Sequence, residues 1–132
     1  MLNKLVCQSL INMKNASKAK HAFVDVYYNN LLIKIINILY LKGYILGFVY
    51  NNFKTIRVYL KYFKDKGLLN GLHFYRNKFS FSYKSILYLR KFYKYENIFY
   101  LISTSKGLLT LEDVFFYNLN IGGILYFYIV VS

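Results

Sequence analysis

The feature that most constrains this chain is an uninterrupted apolar run that ends in a cluster of small polar residues. Residues 98–102 are all aliphatic or aromatic, and Ser103-Thr104-Ser105-Lys106-Gly107 follows them directly. A short apolar run that is bounded by turn-forming residues is typical of a buried strand. The run therefore predicts a strand that lies inside a sheet and ends at the polar cluster.

The residues after the cluster predict a short helix. Thr110 is followed three positions later by Asp113, which is the spacing of a helix-capping pair. We therefore expect residues 103–107 to connect a strand directly to a helix. Their hydroxyls donate and accept hydrogen bonds, their lysine donates, and their glycine permits close approach, so the loop suits phosphates, riboses and base edges. A purely structural turn would use the same residue types, and that interpretation stays open.

The sequence lacks the residues that a catalytic function would require. Ser103 and Lys106 have the Ser-x-x-Lys spacing of penicillin-recognising enzymes, but the partner motifs Ser-Asp-Asn and Lys-Thr-Gly are absent. No Walker-type phosphate loop occurs. Neither His21 nor His73 has a partner at metal-ligand spacing, and Cys7 is the only cysteine. We therefore expect no enzyme, no metal site, no cofactor and no small-molecule substrate.

The charge balance predicts a polyanionic partner. The chain has 18 Lys and Arg residues against 5 Asp and Glu residues, which gives a net charge of +13. Nucleic acid is the first partner that such a balance favours, and an anionic membrane surface is the second. The 16 Tyr and 12 Phe residues add rings that can stack on RNA bases, although most of them are expected in the core.

A membrane-associated subunit of an organelle complex is the alternative that the composition leaves open. Residues 115–132 carry no charge and approach the length of a membrane span. They also contain Asn118, Asn120 and the Gly122-Gly123 pair, which suit a turn before a closing strand. We therefore expect no stable membrane insertion.

The pattern along the chain predicts an α/β (α+β) protein of two small lobes. Residues 1–65 predict helix, strand, helix, strand and strand, with Asn29-Asn30 as a helix start and Gly43 as a helix end. Residues 55–62 alternate between apolar and polar, as a half-buried hairpin strand does. The basic and glycine-containing segment around residues 64–67 is the expected boundary. Residues 66–132 predict a mostly β lobe with short helices, which carries the Ser-Thr-Ser-Lys-Gly loop.

Several motifs, in order and at matching spacing, resemble the family of small ribosomal subunit protein S-eight. The matching segments are Met13-Lys14-Asn15, Lys42-Gly43-Tyr44-Ile45, Leu60-Lys61-Tyr62-Phe63, Ser103-Thr104-Ser105-Lys106-Gly107 with Thr110, and Gly122-Gly123. Two positions depart from the family pattern. The turn at residues 75–79 lacks the usual Pro-Gly, and Ile124 replaces a common Glu.

The resemblance implies a structural constituent of the small ribosomal subunit that binds the central domain of small-subunit ribosomal RNA. It also implies contacts with neighbouring small-subunit proteins. Lysines and arginines would neutralise phosphates, and the hydroxyl loop would read shape, 2′-hydroxyls and unstacked bases. The RNA-binding residues that we expect are Lys14, Asn15, Lys18, Lys20, Asn30, Arg76, Tyr83, Lys84, Ser103, Thr104, Ser105, Lys106, Gly107, Gly122 and Gly123.

Codon bias points to an organelle. Lys, Asn, Ile, Tyr and Phe, which AT-rich codons encode, dominate the chain, whereas Pro is absent. The first predicted helix starts within the opening residues, so we expect no cleavable transit peptide and a protein made inside the organelle. The expected location is the mitochondrial matrix, in the small ribosomal subunit, ahead of the plastid.

Overall fold

The chain combines helices with antiparallel sheets, which confirms the predicted α+β class. The computed structural model describes residues 4–52, 54–74, 80–81, 98–116 and 123–130. The chain divides into an N-terminal unit, Leu2–Asn70, and a C-terminal unit, Gly71–Ser132. The elements are α1 (Lys4–Lys18), β1 (Phe23–Tyr27), α2 (Asn30–Leu41), β2 (Ile45–Tyr50), β3 (Thr55–Leu60), β4 (Tyr62–Phe63), β5 (Lys66–Gly67), β6 (Leu72–Phe74), β7 (Ser80–Phe81), β8 (Ile98–Thr104), β9 (Gly107–Thr110), α3 (Leu111–Phe116) and β10 (Gly123–Val130).

The N-terminal unit packs two helices on one face of an antiparallel sheet with strand order β1-β3-β2. Helix α1 packs on β1, and α2 packs on β2. Apolar residues at helical spacing on both helices and at alternate positions on the strands are fully or almost fully buried, since each element turns one side to this core. They are Val6, Leu10, Met13, Leu32, Ile35, Ile36, Leu39, Val26, Ile45, Ile56, Val58 and Leu60.

The first residues of α2 confirm the predicted helix start. The Asn29 side chain accepts hydrogen bonds from the backbone N–H groups of Leu31 at 2.9 Å and Leu32 at 3.4 Å. These two donors have no carbonyl partner inside the helix, so the cap satisfies them. At the other end, Gly43 has φ +83°, which is the left-handed conformation that ends many helices.

The segment expected around the lobe boundary forms a tight hairpin between β4 and β5. Lys64 and Asp65 both have positive φ, 50° and 63°, as the two central residues of a type I′ turn do. Gly67 then lies against the end of α1. A Cβ atom at Gly67 would come within 1.9 Å of the Ser17 Oγ, and that hydroxyl donates to Asn70 Oδ1 at 2.9 Å.

The C-terminal unit contains an antiparallel sheet with strand order β6-β10-β8-β9, and β7 also pairs with β10. The five residues from Ile98 to Ile102 are all buried, which confirms the predicted buried strand. Helix α3 packs against β8 and β9. Its start confirms the predicted capping pair, because Thr110 Oγ1 accepts from the Asp113 N–H at 3.1 Å and the Asp113 carboxylate accepts from the Thr110 N–H at 3.5 Å.

The prediction that residues 103–107 lead directly into a helix is wrong. Strand β9 intervenes, and its residues Gly107–Thr110 pair with Leu101–Thr104 of β8. The stretch is therefore a β-hairpin whose two-residue turn is Ser105-Lys106. Residues 108–110 are too few to show a period of two, and only pairing with β8 makes them a strand. Two further segments lie outside the described residues. They are the turn at residues 75–79 that lacks the usual Pro-Gly, and residues 85–95, for which the sequence favours a short helix that starts at Ser85.

Candidate nucleic-acid interface

The structure places the expected RNA-binding residues in two groups, one in each unit. Five lie in the N-terminal unit, on α1, just after it and at the start of α2. The others that are described lie at one end of the C-terminal sheet. Arg76, Tyr83, Lys84 and Gly122 lie outside the described residues.

Two lysines share one side of the last turns of α1. Lys14 and Lys18 are four positions apart, which makes them neighbours on a helix surface. Burial lowers the pKa of Lys14, and the charge of Lys18 lowers it further. Neither ammonium group has a carboxylate within ion-pair distance among the described residues. Two neighbouring positive charges make this end of α1 attractive to an anion.

Lys20 has a backbone conformation that favours glycine. Its φ is 61°, its N–H bonds the Ser17 carbonyl at 3.2 Å, and the N–H of His21 bonds the Ala16 carbonyl at 3.0 Å. This is the Schellman motif, in which the left-handed position after a helix is usually glycine. The left-handed conformation costs about 1–2 kcal/mol for a residue with a Cβ. The Lys20 side chain is exposed, so the chain holds an ammonium group in solvent at the cost of backbone strain.

Two asparagines complete the group in the N-terminal unit. Asn15 is exposed on α1, beside Lys14. Asn30 is the first residue of α2 and is also exposed. Because Asn29 caps the helix, the Asn30 amide is not needed for capping, and it makes no side-chain hydrogen bond with the described residues. An exposed amide that donates and accepts suits contacts with riboses and base edges.

The hairpin tip in the C-terminal unit is held by one threonine. The Thr104 hydroxyl donates to the Gly107 carbonyl at 2.8 Å and accepts from the Lys106 N–H at 3.2 Å. Gly107 has φ +104°, and apart from its chain neighbours no described residue has an atom within 4 Å of the place where its Cβ would be. Glycine is therefore required here by backbone conformation, not by a close approach. Ser105 and Lys106 are exposed at the tip of this rigid turn.

The sheet register brings Gly123 to the same end of the sheet. Gly123 lies opposite Thr104 on one side and Phe81 on the other. Ser103 lies opposite both Ile124 and Leu108. Ser103, Thr104, Ser105, Lys106, Gly107 and Gly123 are therefore adjacent. The sequence motif predicted the first five as a unit, and the register of β10 adds the sixth.

Local sequence patterns gave little indication of two features of these groups. The internal hydrogen bonds of Thr104 depend on a hairpin that no local pattern indicated. The strained conformation of Lys20 was indicated only weakly, by the lack of a glycine directly after α1. No cluster of three or more His, Cys, Asp and Glu side chains that could hold a metal ion occurs among the described residues. None of the helices described is long and apolar enough to cross a membrane.

Comparisons with known proteins point to one family that spans both units. The family model described as Ribosomal protein S8 matches residues 4–130. The chain is 33% identical over 102 residues to "Small ribosomal subunit protein uS8m" of Acanthamoeba castellanii, which covers 76% of this chain and 80% of that protein. It is 30% identical over 129 residues to "Small ribosomal subunit protein uS8" of Aliarcobacter butzleri, covering 93% and 95%. It is 35% identical over 123 residues to the protein of the same name from Lachnoclostridium phytofermentans, covering 89% and 90%.

Proposed function

The chain belongs to the ribosomal protein S8 family, and from this membership we propose that it is a structural constituent of the small ribosomal subunit that binds ribosomal RNA. Membership in this family supports a structural role and not an enzymatic one. The observation that carries RNA binding is the end of α1, where Lys14, Lys18 and Lys20 have no carboxylate partner among the described residues. Such lysines neutralise phosphates and release counter-ions, which supplies affinity for RNA.

The hairpin tip has a different part in the proposed mechanism. Ser105 and Lys106 are exposed on a turn that two hydrogen bonds from Thr104 hold in place. A rigid turn fixes the direction of its hydroxyl and ammonium groups, and direction is what recognition of a particular RNA shape requires. Thr104 then acts mainly by shaping the turn, while Ser105 reads 2′-hydroxyls or base edges.

Two finer parts of the proposal rest on resemblance and composition. The RNA target is the central domain of small-subunit ribosomal RNA, as the motif resemblance implies. The location is the mitochondrion, which the AT-biased composition and the uS8m relative support. Binding to the RNA would support assembly of the small subunit and translation there.

Sedimentation and RNA binding test the proposal together. The protein should follow the small subunit when organelle lysate is separated on a density gradient. The isolated protein should bind a central-domain RNA fragment with an affinity that falls steeply with salt, each neutralised phosphate adding roughly −0.7 to −0.9 to the log–log slope. A salt-independent affinity, or a protein that does not sediment with the small subunit, contradicts the proposal.

The two proposed parts of the interface are separated by matched variants. Lys20→Gln should weaken binding to cognate and scrambled RNA by similar factors, whereas Lys66→Gln, which changes an exposed lysine outside the expected set, should change neither. Ser105→Ala should lower the preference for cognate RNA by about 1–3 kcal/mol, because it leaves a polar partner unpaired. A thermal melt of each free variant checks the fold. A lowered melt with unchanged preference would show that Ser105 is only part of a turn.

A further inference from the structure

The N-terminal sheet has a second face that neither helix covers. We call it the open face, and it is defined by residues that the strand register places side by side, opposite to the buried positions of β1 and β3. It consists of Phe23, Asp25 and Tyr27 on β1, Thr55, Arg57 and Tyr59 on β3, and Val49 on β2.

Aromatic and aliphatic side chains dominate the open face. Phe23 is 42% exposed, Tyr27 75%, Val49 48% and Tyr59 37%. The rings of Phe23 and Tyr59 lie 6.1 Å apart at 60°, so they pack on each other across the two strands. Apolar side chains grouped on one side of a sheet indicate an interaction surface more than scattered exposed residues do.

The charges on this face compensate each other. Arg57 Nε donates to Asp25 Oδ1 at 2.9 Å, and an Arg57 terminal NH₂ group donates to Asp25 Oδ2 at 3.3 Å. The guanidinium carbon also lies 4.2 Å from the centre of the Phe23 ring. The pair is bidentate and stacked, which is the geometry that tolerates burial in an interface.

The open face offers no unpaired cation among its residues to bind a phosphate backbone. Cations that neutralise RNA phosphates displace the counter-ions held there, and this displacement supplies the affinity. The only cation of the open face is already neutralised by Asp25, whereas Lys14 and Lys18 on α1 have no carboxylate partner among the described residues. Protein interfaces, in contrast, have cores that are depleted in unpaired charge and enriched in Tyr, Phe and Arg.

We propose that the open face docks a neighbouring protein of the small ribosomal subunit, one that presents uncharged aliphatic or aromatic side chains to Phe23, Tyr27 and Tyr59. The inference rests on the proposed function, since the assembled subunit brings the partner into place. Strands of five or six residues at about 3.3 Å per residue and about 4.8 Å spacing give a face of roughly 300 Å². That is well below the roughly 800 Å² per partner of a stable protein pair, so an isolated dimer of this chain is not expected.

Hydroxyl-radical footprinting read by mass spectrometry tests the assignment without changing the protein. Oxidation of Phe23, Tyr27 and Tyr59 is compared in the free protein, in its complex with the central-domain RNA fragment, and in purified small subunits. We expect the rings to stay reactive in the RNA complex and to become several-fold less reactive in the subunit. Protection by the RNA fragment alone would assign the face to RNA, and full reactivity in the subunit would leave it without a partner. Either result overturns the inference.

A double variant then identifies the partner class. Phe23→Thr with Tyr59→Thr keeps residues that suit strands and removes both rings. Small subunits that contain this variant should retain it but lose or loosen one neighbouring protein, as measured by quantitative mass spectrometry. Phe63→Thr is the matched control, because Phe63 is an exposed aromatic residue on β4 outside the open face. Unchanged protein content in the double variant contradicts the inference.

The proposed function and the docking inference fail in different ways. If the protein binds neither the RNA fragment nor the small subunit, the proposed function fails. If it binds both and the open face remains reactive in the subunit, only the docking inference fails. The RNA affinity of the double variant should equal that of the unchanged protein, and a melt of the free variant confirms that the N-terminal unit is folded.

Discussion

Helices α1 and α2 end with the same hydrogen-bond pattern but with different residues at the critical position. In each, the residue in the left-handed conformation bonds the carbonyl three positions back, and the next residue bonds the carbonyl five positions back. After α2 the left-handed residue is Gly43, with φ +83°. After α1 it is Lys20, with φ 61°. The backbone conformation is shared, and only the side chain differs.

Backbone energetics alone explain the residue at the end of α2, but they do not explain the residue at the end of α1. Gly43 satisfies the backbone at no steric cost. Lys20 occupies the strained conformation and, like Lys14 and Lys18, has no carboxylate partner in the part of the chain that the structure describes. Residues in sparsely populated conformations often lie at functional sites, where the strain is tolerated because the side chain is used. The comparison therefore supports the proposal that the end of α1, and not that of α2, contacts RNA.

The largest expected effect concerns Gly67, which packs against Ser17 near the end of α1. Gly67→Ala should lower the free energy of unfolding by about 1–3 kcal/mol, because the new methyl group overlaps the buried Ser17 side chain. Urea unfolding measures it. Gly47→Ala is the control, since its Cβ position has no atom of a non-neighbouring described residue within 4 Å. Equal losses for the two variants would mean that close packing against Ser17 is not what requires Gly67.

The next prediction tests whether the end of α2 tolerates a lysine in the left-handed conformation, as the end of α1 does. Gly43→Lys should reduce the free energy of unfolding by about 1–2 kcal/mol, the cost of a left-handed residue with a Cβ. Among the residues that the structure describes, the added Cβ contacts the Lys61 Nζ alone, at 3.8 Å, so conformation and not overlap causes the loss. Unfolding in urea gives the value, with Lys42→Gln as a neighbouring control. A variant as stable as the unchanged protein would weaken the claim that Lys20 is strained.

The reciprocal substitution should change the free energy of unfolding by less, and in the opposite direction. Lys20→Gly should raise the free energy of unfolding by up to about 1 kcal/mol, since it relieves the strain but adds chain entropy to the unfolded state. It should also weaken RNA binding and lower the salt slope by roughly 0.7–0.9. Lys20→Gln provides the control, because it removes the charge and keeps the strain. Increased stability with unchanged RNA binding would show that the lysine has no role in the interface.

The smallest effect concerns the proton equilibrium of Lys14. Because the folded state lowers the pKa of Lys14, the unfolded chain binds more protons between that lowered pKa and 10.5, and the free energy of unfolding should rise with pH across this window. Lys18→Gln should raise the pKa of Lys14 only in part, since burial is the larger cause. Bound RNA should raise it as well. NMR titration of the Lys14 side chain measures its pKa in the unchanged protein, in the Lys18→Gln variant and in the RNA complex. A pKa that does not change on RNA binding would show that no phosphate binds beside Lys14.

Local patterns in the sequence predicted much of the fold and part of the interface. The pattern of residues 1–65 predicted the order of the first helices and strands, and the alternation of residues 55–62 predicted the half-buried strand that ends at Leu60 in the structure. Asn29 and the Thr110–Asp113 pair predicted two helix starts. These signals act within a few residues, because side-chain direction and capping depend on neighbours along the chain. The net charge of +13 likewise required no structure to predict an anionic partner.

Tertiary structure alone decided the features that depend on distant segments. Residues 107–110 form a strand because they pair with β8, and that pairing brings the Thr104 hydroxyl within hydrogen-bond distance of the Gly107 carbonyl. Position 67 has no room for a side chain because β5 packs against Ser17, a residue 50 positions earlier in the chain. The alternation in β3 predicted two unlike faces, but only the positions of α1 and α2 left Arg57 and Tyr59 on the open one. Strand pairing and packing join residues that are far apart in sequence, so a local pattern cannot specify them.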